Sequence, residues 1–115
     1  MAAMQPEEYR RLLAKAMSED DLQDNIADLC RTLSLPYYHT HDSRRSPEGF
    51  PDTVIVSGVD LLIFELKNEK ADPSPKQMWW LDALSRVERV RSGVWRPRHW
   101  LDGVVFDALG VPRLR

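Results

Sequence analysis

The chain has 115 residues, which matches one ordinary domain and excludes a two-domain enzyme, since a domain typically holds about 100 to 150 residues. Hydrophobic residues make up 43% and charged residues 30%, a globular balance that excludes a disordered chain. The 16 basic and 18 acidic side chains give a net charge of −2, so the whole chain has no basic excess that would indicate nucleic acid. Residues 86–115 nevertheless hold 7 basic and 3 acidic groups, which leaves room for a local basic surface.

The cysteine content and the N-terminal sequence indicate the cellular compartment in which the protein is expected. The single cysteine, Cys30, cannot form a disulfide within the chain, which favours a reducing environment. The first eight residues lack the basic and apolar regions of a signal peptide, and no stretch approaches the roughly 20 apolar residues of a membrane span. We therefore expect a cytoplasmic protein without a membrane partner.

The N-terminal third is predicted to be helical. Residues 7–17 are expected to form one helix, and a second begins at the capping pair Ser18 and Asp21 and ends before Pro36. Its apolar face is predicted from residues at helical spacing, namely Leu22, Ile26, Leu29, Cys30 and Leu33. Residues 36–40 then predict a short strand, and residues 42–51 an irregular loop.

The rest of the chain alternates strands and helices. Residues 53–56 and 61–67 predict two strands that pair as a hairpin, because only four residues separate them. Ser74, Pro75 and Gln77 occupy the N-cap, N1 and N3 positions of a helix that extends to about residue 87. A strand over residues 90–95 and one terminal helix over residues 98–109 complete the predicted order, α-β-β-β-α-β-α.

Charged residues stand at the end of an otherwise apolar strand. Side chains alternate between the faces of a strand, so Glu65 and Lys67 project to the same side. Asp52 opens the neighbouring hairpin strand, where it can meet Glu65 across the pair. Two carboxylates beside a lysine form a hard-oxygen site of the kind that Mg²⁺ prefers, and such a site suggests phosphodiester chemistry.

The arrangement Pro51-Asp52 followed by Glu65-Leu66-Lys67 resembles the PD-(D/E)XK nuclease superfamily, and the surrounding sequence is similar to its VRR-NUC branch. The resemblance covers most of the chain. Its other parts are Glu19 and Gln23, residues 41–46 and 49–52, Ser74 and Gln77, and Val94-Trp95-Arg96-Pro97. The chain departs from the family at residues 87–93, since the family usually has a Gly before the fourth strand.

The resemblance implies a single domain over residues 1–115, with an α/β, restriction-endonuclease-like core in which helices flank a mixed central β-sheet. It implies that Asp52, Glu65 and the backbone carbonyl of Leu66 hold Mg²⁺ or Mn²⁺, and that Lys67 positions the attacking water. Gln77 matches a glutamine of the branch, and Glu19 matches the acidic residue that the superfamily often places on its first helix, a further candidate metal ligand. Gln23 is carried over as a candidate DNA contact.

Small stand-alone members of this branch resemble Holliday-junction resolvases, are often associated with bacteriophages and act as homodimers. We therefore expect a metal-dependent endodeoxyribonuclease of DNA recombination that acts on branched DNA, without a nucleotide cofactor. A DNA nickase or end-processing nuclease with the same site, and a non-catalytic DNA-binding module of the same fold, are the alternatives. An RNA substrate also stays open, because no feature reads or excludes a 2′-hydroxyl.

Basic and polar residues near the predicted metal site are candidate DNA contacts. Ser43, Arg44 and Arg45 precede the metal-binding strand, where guanidinium groups could grip the phosphates that flank the cleaved bond. His39 and His41 alternate on or beside a short strand and are expected to contact DNA or to be polar strand residues, since no third ligand stands at a zinc spacing.

Several of these residues also have a purely structural interpretation. Asp52, Glu65 and Lys67 could form an ion-pair cluster at a sheet edge, Gln77 suits a capping box with Ser74, and Glu19 suits the first turn of a helix. Arg44 and Arg45 could belong to a solvated loop. The tryptophans could stack on unpaired bases, but most are expected in the core, and the consecutive Trp79 and Trp80 cannot both face it.

Overall fold

A four-stranded mixed β-sheet with helices packed against it organises residues 3–40 and 47–112, the part of the chain that this computed structural model describes. The elements in chain order are α1 (Pro6–Ala16), α2 (Glu19–Thr32), β1 (Tyr37–His39), β2 (Thr53–Ser57), β3 (Asp60–Leu66), α3 (Pro75–Ser85), β4 (Val90–Trp95), α4 (Pro97–Leu101) and α5 (Val104–Ala108). None of the described helices combines the length and the apolar character needed to cross a membrane.

The strands lie side by side in the order β1-β2-β3-β4. The pairs β1/β2 and β2/β3 are antiparallel, whereas β3 and β4 are parallel and α3 connects them as a crossover helix. In this register Thr53 pairs with Phe64, and Phe64 pairs with Gly93. The predicted α/β class, the mixed sheet and the hairpin are therefore confirmed, with strand ends that differ by one residue.

The main hydrophobic core lies on one face of the sheet. Leu22, Ile26 and Cys30 of α2 are fully buried there against Leu62 and Leu66 of β3, as the helical spacing of the sequence predicted. Burying an aliphatic side chain of this size stabilises the folded state by about 1.5–3 kcal/mol. Because side chains alternate along β3, its other face carries Ile63, Glu65 and Lys67 and is directed toward α3.

Helices α2 and α3 each begin with a hydrogen-bonded cap. The Ser18 side chain accepts from the backbone N–H of Asp21 at 3.0 Å, and the Asp21 carboxylate accepts from the N–H of Ser18 at 3.2 Å. Ser74 and Gln77 form the same reciprocal pair at the start of α3. Both caps were predicted, and each is worth about 1 kcal/mol.

One prediction about helices is wrong. The expected terminal helix over residues 98–109 is two five-residue helices, because Gly103 adopts a left-handed backbone with φ of 82° and breaks it between α4 and α5. Helix α3 ends at Ser85, within two residues of its approximate predicted end. With α1 separate from α2, the observed order is α-α-β-β-β-α-β-α-α.

The segment before β4 has an unusual backbone. Arg89 takes the left-handed conformation, with φ of 65°, at a cost of roughly 1–2 kcal/mol for a residue with a side chain. Gly93 lies inside β4, and a Cβ there would be 3.2 Å from the ring of Phe64. The Phe64 ring therefore lies over Gly93 and stacks on buried Trp95 at a centroid distance of 3.9 Å.

Candidate active site

A cavity of about 850 Å³ opens where β2 begins and β3 ends. It brings together residues that the sequence singled out on four separate segments, namely Glu19, Gln23, Asp52, Glu65, Lys67 and Gln77. Glu19 reaches it because it continues the buried stripe of α2 by one turn beyond Leu22. We call this cavity the candidate active site.

Asp52 is held in place from three strands. Its Oδ1 accepts from the backbone N–H of Leu66 at 3.1 Å and from the hydroxyl of buried Thr53 at 3.0 Å. Its Oδ2 lies 3.6 Å from Nε2 of His39. Because the pairing of β2 with β3 sets Thr53 opposite Phe64, Asp52 stands next to Glu65 at the end of the ladder.

Glu65 is the most deeply buried charged group of the site, with 3% of its surface exposed. Burial, followed by the neighbouring Asp52 carboxylate, raises the pKa of Glu65 to about 8, while Lys67 opposes this effect. Its Oε2 accepts a hydrogen bond from Nε2 of Gln77 at 2.9 Å. In the protein without bound cations, this environment favours the protonated carboxyl at neutral pH.

Lys67 and Glu19 belong to the same electrostatic cluster. Burial and then the charge of Asp52 raise the pKa of Glu19, and Lys67 again opposes the rise. The strand end that carries Lys67 is fixed by its backbone N–H, which donates to the carbonyl of Trp95 at 3.1 Å. The ammonium group of Lys67 lies within electrostatic reach of the carboxyl groups of Glu19 and Glu65.

The described lining of the cavity is strongly acidic. It includes one ammonium group, Lys67, and five carboxyl groups, those of Glu19, Asp20, Asp24, Asp52 and Glu65. Such an excess is costly unless protons or cations neutralise it, and the charge of Asp52 adds to the rise that burial causes in the pKa of Glu65.

A hard divalent cation suits this set of oxygen atoms. No group of three or more His, Cys, Asp or Glu side chains within residues 3–40 and 47–112 is arranged as a complete metal site. Mg²⁺ does not require one, because it usually binds one or two carboxylates and retains several waters. Asp52 and Glu65 fit that requirement, and a cation would relieve the repulsion between the two carboxyl groups.

Two residues at the site were not predicted to support Asp52. His39 was expected to be a polar strand residue or a DNA contact, and Thr53 was expected only as part of a strand. The pairing of β1 with β2 sets His39 opposite Thr53, which directs both side chains toward Asp52. His39 and Thr53 are 14 residues apart along the chain, and the pairing of their strands is what brings His39 to Asp52. Local sequence patterns therefore gave no signal for the contact between His39 and Asp52.

Four predicted DNA contacts, His41, Ser43, Arg44 and Arg45, lie outside the described residues, and their roles stay predictions. Gln23 lines the cavity. Of the tryptophans, Trp95 is buried, whereas Trp79 is 65% exposed and meets Trp80 edge-on at 5.4 Å. Comparisons of this chain with family models, with curated proteins and with solved structures found no match.

Proposed function

We propose that this chain is a metal-dependent endodeoxyribonuclease with a restriction-endonuclease-like fold of the VRR-NUC type. The observation that supports this best is the meeting of Asp52, Glu65 and Lys67 in one open cavity. A purely structural ion-pair cluster would balance its charges, whereas the described lining of this cavity holds five carboxyl groups and one ammonium group. An acidic cavity of this kind can accept a phosphodiester only together with cations.

The roles of the residues follow from their positions. Asp52 and Glu65, with the Leu66 carbonyl, would hold Mg²⁺ or Mn²⁺, and Glu19 is a further candidate ligand. The bound ion would stabilise negative charge on phosphate oxygens and lower the pKa of a bound water. Lys67 would hold the attacking water by hydrogen bonding, and Gln77 would orient the Glu65 carboxyl group through the bond that they share.

Branched DNA of the Holliday-junction type is the proposed substrate, and two copies of the chain would present two sites to two strands. The described surface offers an apolar stripe for a contact between copies, since Tyr9, Leu12 and Leu13 of α1 are exposed at helical spacing. Ser43, Arg44, Arg45, His41 and Gln23 are the proposed DNA contacts near the cleaved bond. These proposals rest on the resemblance of the sequence, and they would place the protein in the cytoplasm.

The test is cleavage of a labelled four-way junction, a linear duplex and a single strand, each with Mg²⁺, with Mn²⁺ and with EDTA. Paired, metal-dependent incisions at the junction alone would support a resolvase. Cutting of every substrate would support a general nuclease or a nickase with the same site. Binding without cutting under any metal would overturn the nuclease and favour a non-catalytic DNA-binding module.

Three variants make the test specific to the site. Glu65→Ala and Asp52→Asn should each abolish cleavage while the protein stays folded, because removal of one carboxylate relieves repulsion within a crowded acidic cluster. Lys67→Ala should also abolish cleavage, and it should leave the protein folded because Lys67 is only partly buried at the end of β3. Asp52→Asn keeps an oxygen that can accept from Leu66 and Thr53. Asp28→Asn, an exposed change at the far end of α2, is the matched control and should cut normally. A site variant that cuts at the normal rate would contradict the assigned role.

A further inference from the structure

A second cavity, of about 430 Å³, lies between α1, the loop that follows β3, and α4. We call it the basic cleft. Its described lining includes five basic side chains, those of Arg10, Arg11, Lys15, Lys70 and Arg98, and three acidic ones, those of Glu7, Glu69 and Asp102. Its charge is therefore opposite to that of the candidate active site.

Ion pairs within the basic cleft engage two of its three acidic groups. Arg10 Nε lies 3.3 Å from Asp102 Oδ1. Glu69 Oε2 accepts from the backbone N–H of Arg98 at 3.1 Å, and its Oε1 lies 3.9 Å from the Arg98 guanidinium. The exposed side chains of Arg11, Lys15 and Lys70 make no ion pair within the described part of the chain, so their positive charge is available to a ligand.

The loop that carries Lys70 is firmly held. Asn68 Oδ1 accepts from the backbone N–H groups of Lys70 and Ala71 at 2.9 and 2.7 Å, which forms a tight turn. Arg96 Nη1 donates to the carbonyl oxygens of Asn68 and Ala71 at 2.6 and 2.7 Å. The backbone of Lys70 therefore has a fixed position, and a ligand need not order this loop when it binds.

Two short connections of the chain join the basic cleft to the candidate active site. Lys70 follows Lys67 by three residues, which span at most about 11 Å. Lys15, at the end of α1, precedes Glu19 by four residues. A duplex rises about 3.4 Å for each nucleotide of a strand, so a strand bound in the active site would reach the basic cleft within about three nucleotides.

We propose that the basic cleft binds the phosphate backbone of the DNA strand on one side of the bond to be cleaved, through Lys15, Lys70 and Arg11. This proposal rests on the proposed function for the identity of the ligand. The described lining of the candidate active site is acidic and attracts a phosphate only through bound cations, so a nearby cationic surface would add to the binding of the strand there. Contacts to phosphates carry no base information, so the basic cleft adds affinity without sequence preference.

The test is equilibrium binding of a labelled DNA duplex over a series of salt concentrations, in EDTA so that metal-dependent cleavage cannot occur. The double variant Lys15→Ala with Lys70→Ala removes two charges from the basic cleft. The matched control, Arg31→Ala with Arg86→Ala, removes two exposed charges from the ends of α2 and α3 that lie away from the active site. A second test variant, Lys15→Arg with Lys70→Arg, keeps both charges.

We expect the double alanine variant to bind about tenfold more weakly, because it loses two contacts to phosphates. The slope of log affinity against log salt should fall by about 1.8 for a duplex, since each lost phosphate contact removes about 0.9. The arginine variant and the control should bind as the unchanged protein does, and two duplexes of different sequence should behave alike.

The outcomes separate this proposal from the proposed function. If the double alanine variant keeps the full affinity and salt slope, or if the unchanged protein does not bind DNA in EDTA, the basic cleft is not a DNA site, whether or not the protein cuts DNA in Mg²⁺. If binding depends on the basic cleft but no metal permits cleavage, the basic cleft is supported and the nuclease is overturned. Thermal unfolding of each variant confirms that the protein is folded when binding is measured.

Discussion

The side-chain amide of Gln77 donates a 2.9 Å hydrogen bond from Nε2 to Oε2 of Glu65. The Oε1 atom of the same amide accepts from the backbone N–H of Ser74 at 2.8 Å. The N–H of Ser74 needs an oxygen acceptor, so the Gln77 amide directs its oxygen toward Ser74. Its NH₂ group therefore faces Glu65. Gln77 thus caps α3 with its amide oxygen and contacts the candidate active site with its amide nitrogen. The start of α3 therefore orients the buried carboxyl group of Glu65.

Gln77→Glu should separate these two roles. A glutamate at this position still accepts from the N–H of Ser74, so the cap of α3 persists. It offers no NH₂ donor to Glu65, and it adds a sixth carboxyl group to the candidate active site. We expect cleavage to fall at least about tenfold, because loss of a contact to a charged group costs about 1.5–3 kcal/mol. Single-turnover cleavage and thermal unfolding measure the two effects.

Ser74→Ala is the complementary variant. It removes the hydroxyl that accepts from the N–H of Gln77 and should lower the free energy of unfolding by about 1 kcal/mol. Cleavage at a temperature where the variant is folded should change little. If Gln77→Glu cuts normally while Ser74→Ala does not, Gln77 acts only as a cap.

The stability of the metal-free protein should depend on the protonation of Glu65. Burial and Asp52 raise the pKa of this group from 4.5 to about 8 in the folded state, so the folded protein holds the proton more tightly than the unfolded chain does. The resulting stabilisation is fully present below about pH 4.5 and is lost as the pH rises through about 8.

Unfolding by urea in EDTA, at several pH values across that window, measures this dependence. The free energy of unfolding should decrease with rising pH, and Glu65→Gln, which is neutral at every pH, should remove this contribution. A variant whose pH dependence equals that of the unchanged protein would show that Glu65 titrates normally.

The features that the sequence predicted are those in which the interacting residues are close along the chain. The cap pairs, Ser18 with Asp21 and Ser74 with Gln77, lie three residues apart, and a four-residue gap indicated the β2–β3 hairpin. The cluster of Asp52, Glu65 and Lys67 follows from that hairpin and from the alternation of side chains along β3. Local rules therefore sufficed for the fold class and for the centre of the candidate site.

The features that the sequence did not reveal depend on distant pairings or on a single backbone angle. His39 supports Asp52 only because β1 pairs with β2 across a long loop. Arg96 holds a turn that lies 25 to 28 residues earlier in the chain. Gly103 breaks the terminal helix by taking a positive φ, although an isolated glycine within a helical pattern is often tolerated.

Gly49→Ala should disturb the candidate active site through the first turn of α3. Gly49 has φ of 88°, and a Cβ there would lie 2.6 Å from backbone and side-chain carbons of Lys76 and 2.9 Å from the backbone nitrogen of Gln77. A methyl group must therefore push the loop away from the first turn of α3. We expect a loss of about 1–3 kcal/mol of stability and slower cleavage, because the turn that moves carries Gln77.

Gly58→Ala is the matched control for this change. Gly58 also has a positive φ, of 62°, but no atom lies within 4 Å of its added Cβ. It should therefore show the backbone cost alone, about 1 kcal/mol, with normal cleavage by folded protein. Equal effects of the two variants on cleavage would contradict a steric role for the contact between Gly49 and α3.

Arg96→Lys should loosen the turn that presents Lys70. The Arg96 side chain is 12% exposed and bridges the carbonyl oxygens of Asn68 and Ala71 with one guanidinium nitrogen. A lysine keeps the charge but lacks the planar, pre-oriented group, so we expect the loss of at least one of these bonds, worth about 1.5–3 kcal/mol.

Hydrogen exchange at the amides of Lys70 and Ala71 should accelerate in Arg96→Lys, and DNA binding in EDTA should weaken. Arg86→Lys, at an exposed ion pair with Asp82, should change neither. If hydrogen exchange at Lys70 and Ala71 is unchanged in Arg96→Lys, the turn at Asn68 keeps its shape without the arginine. Arg96 then does not support the structure of the basic cleft.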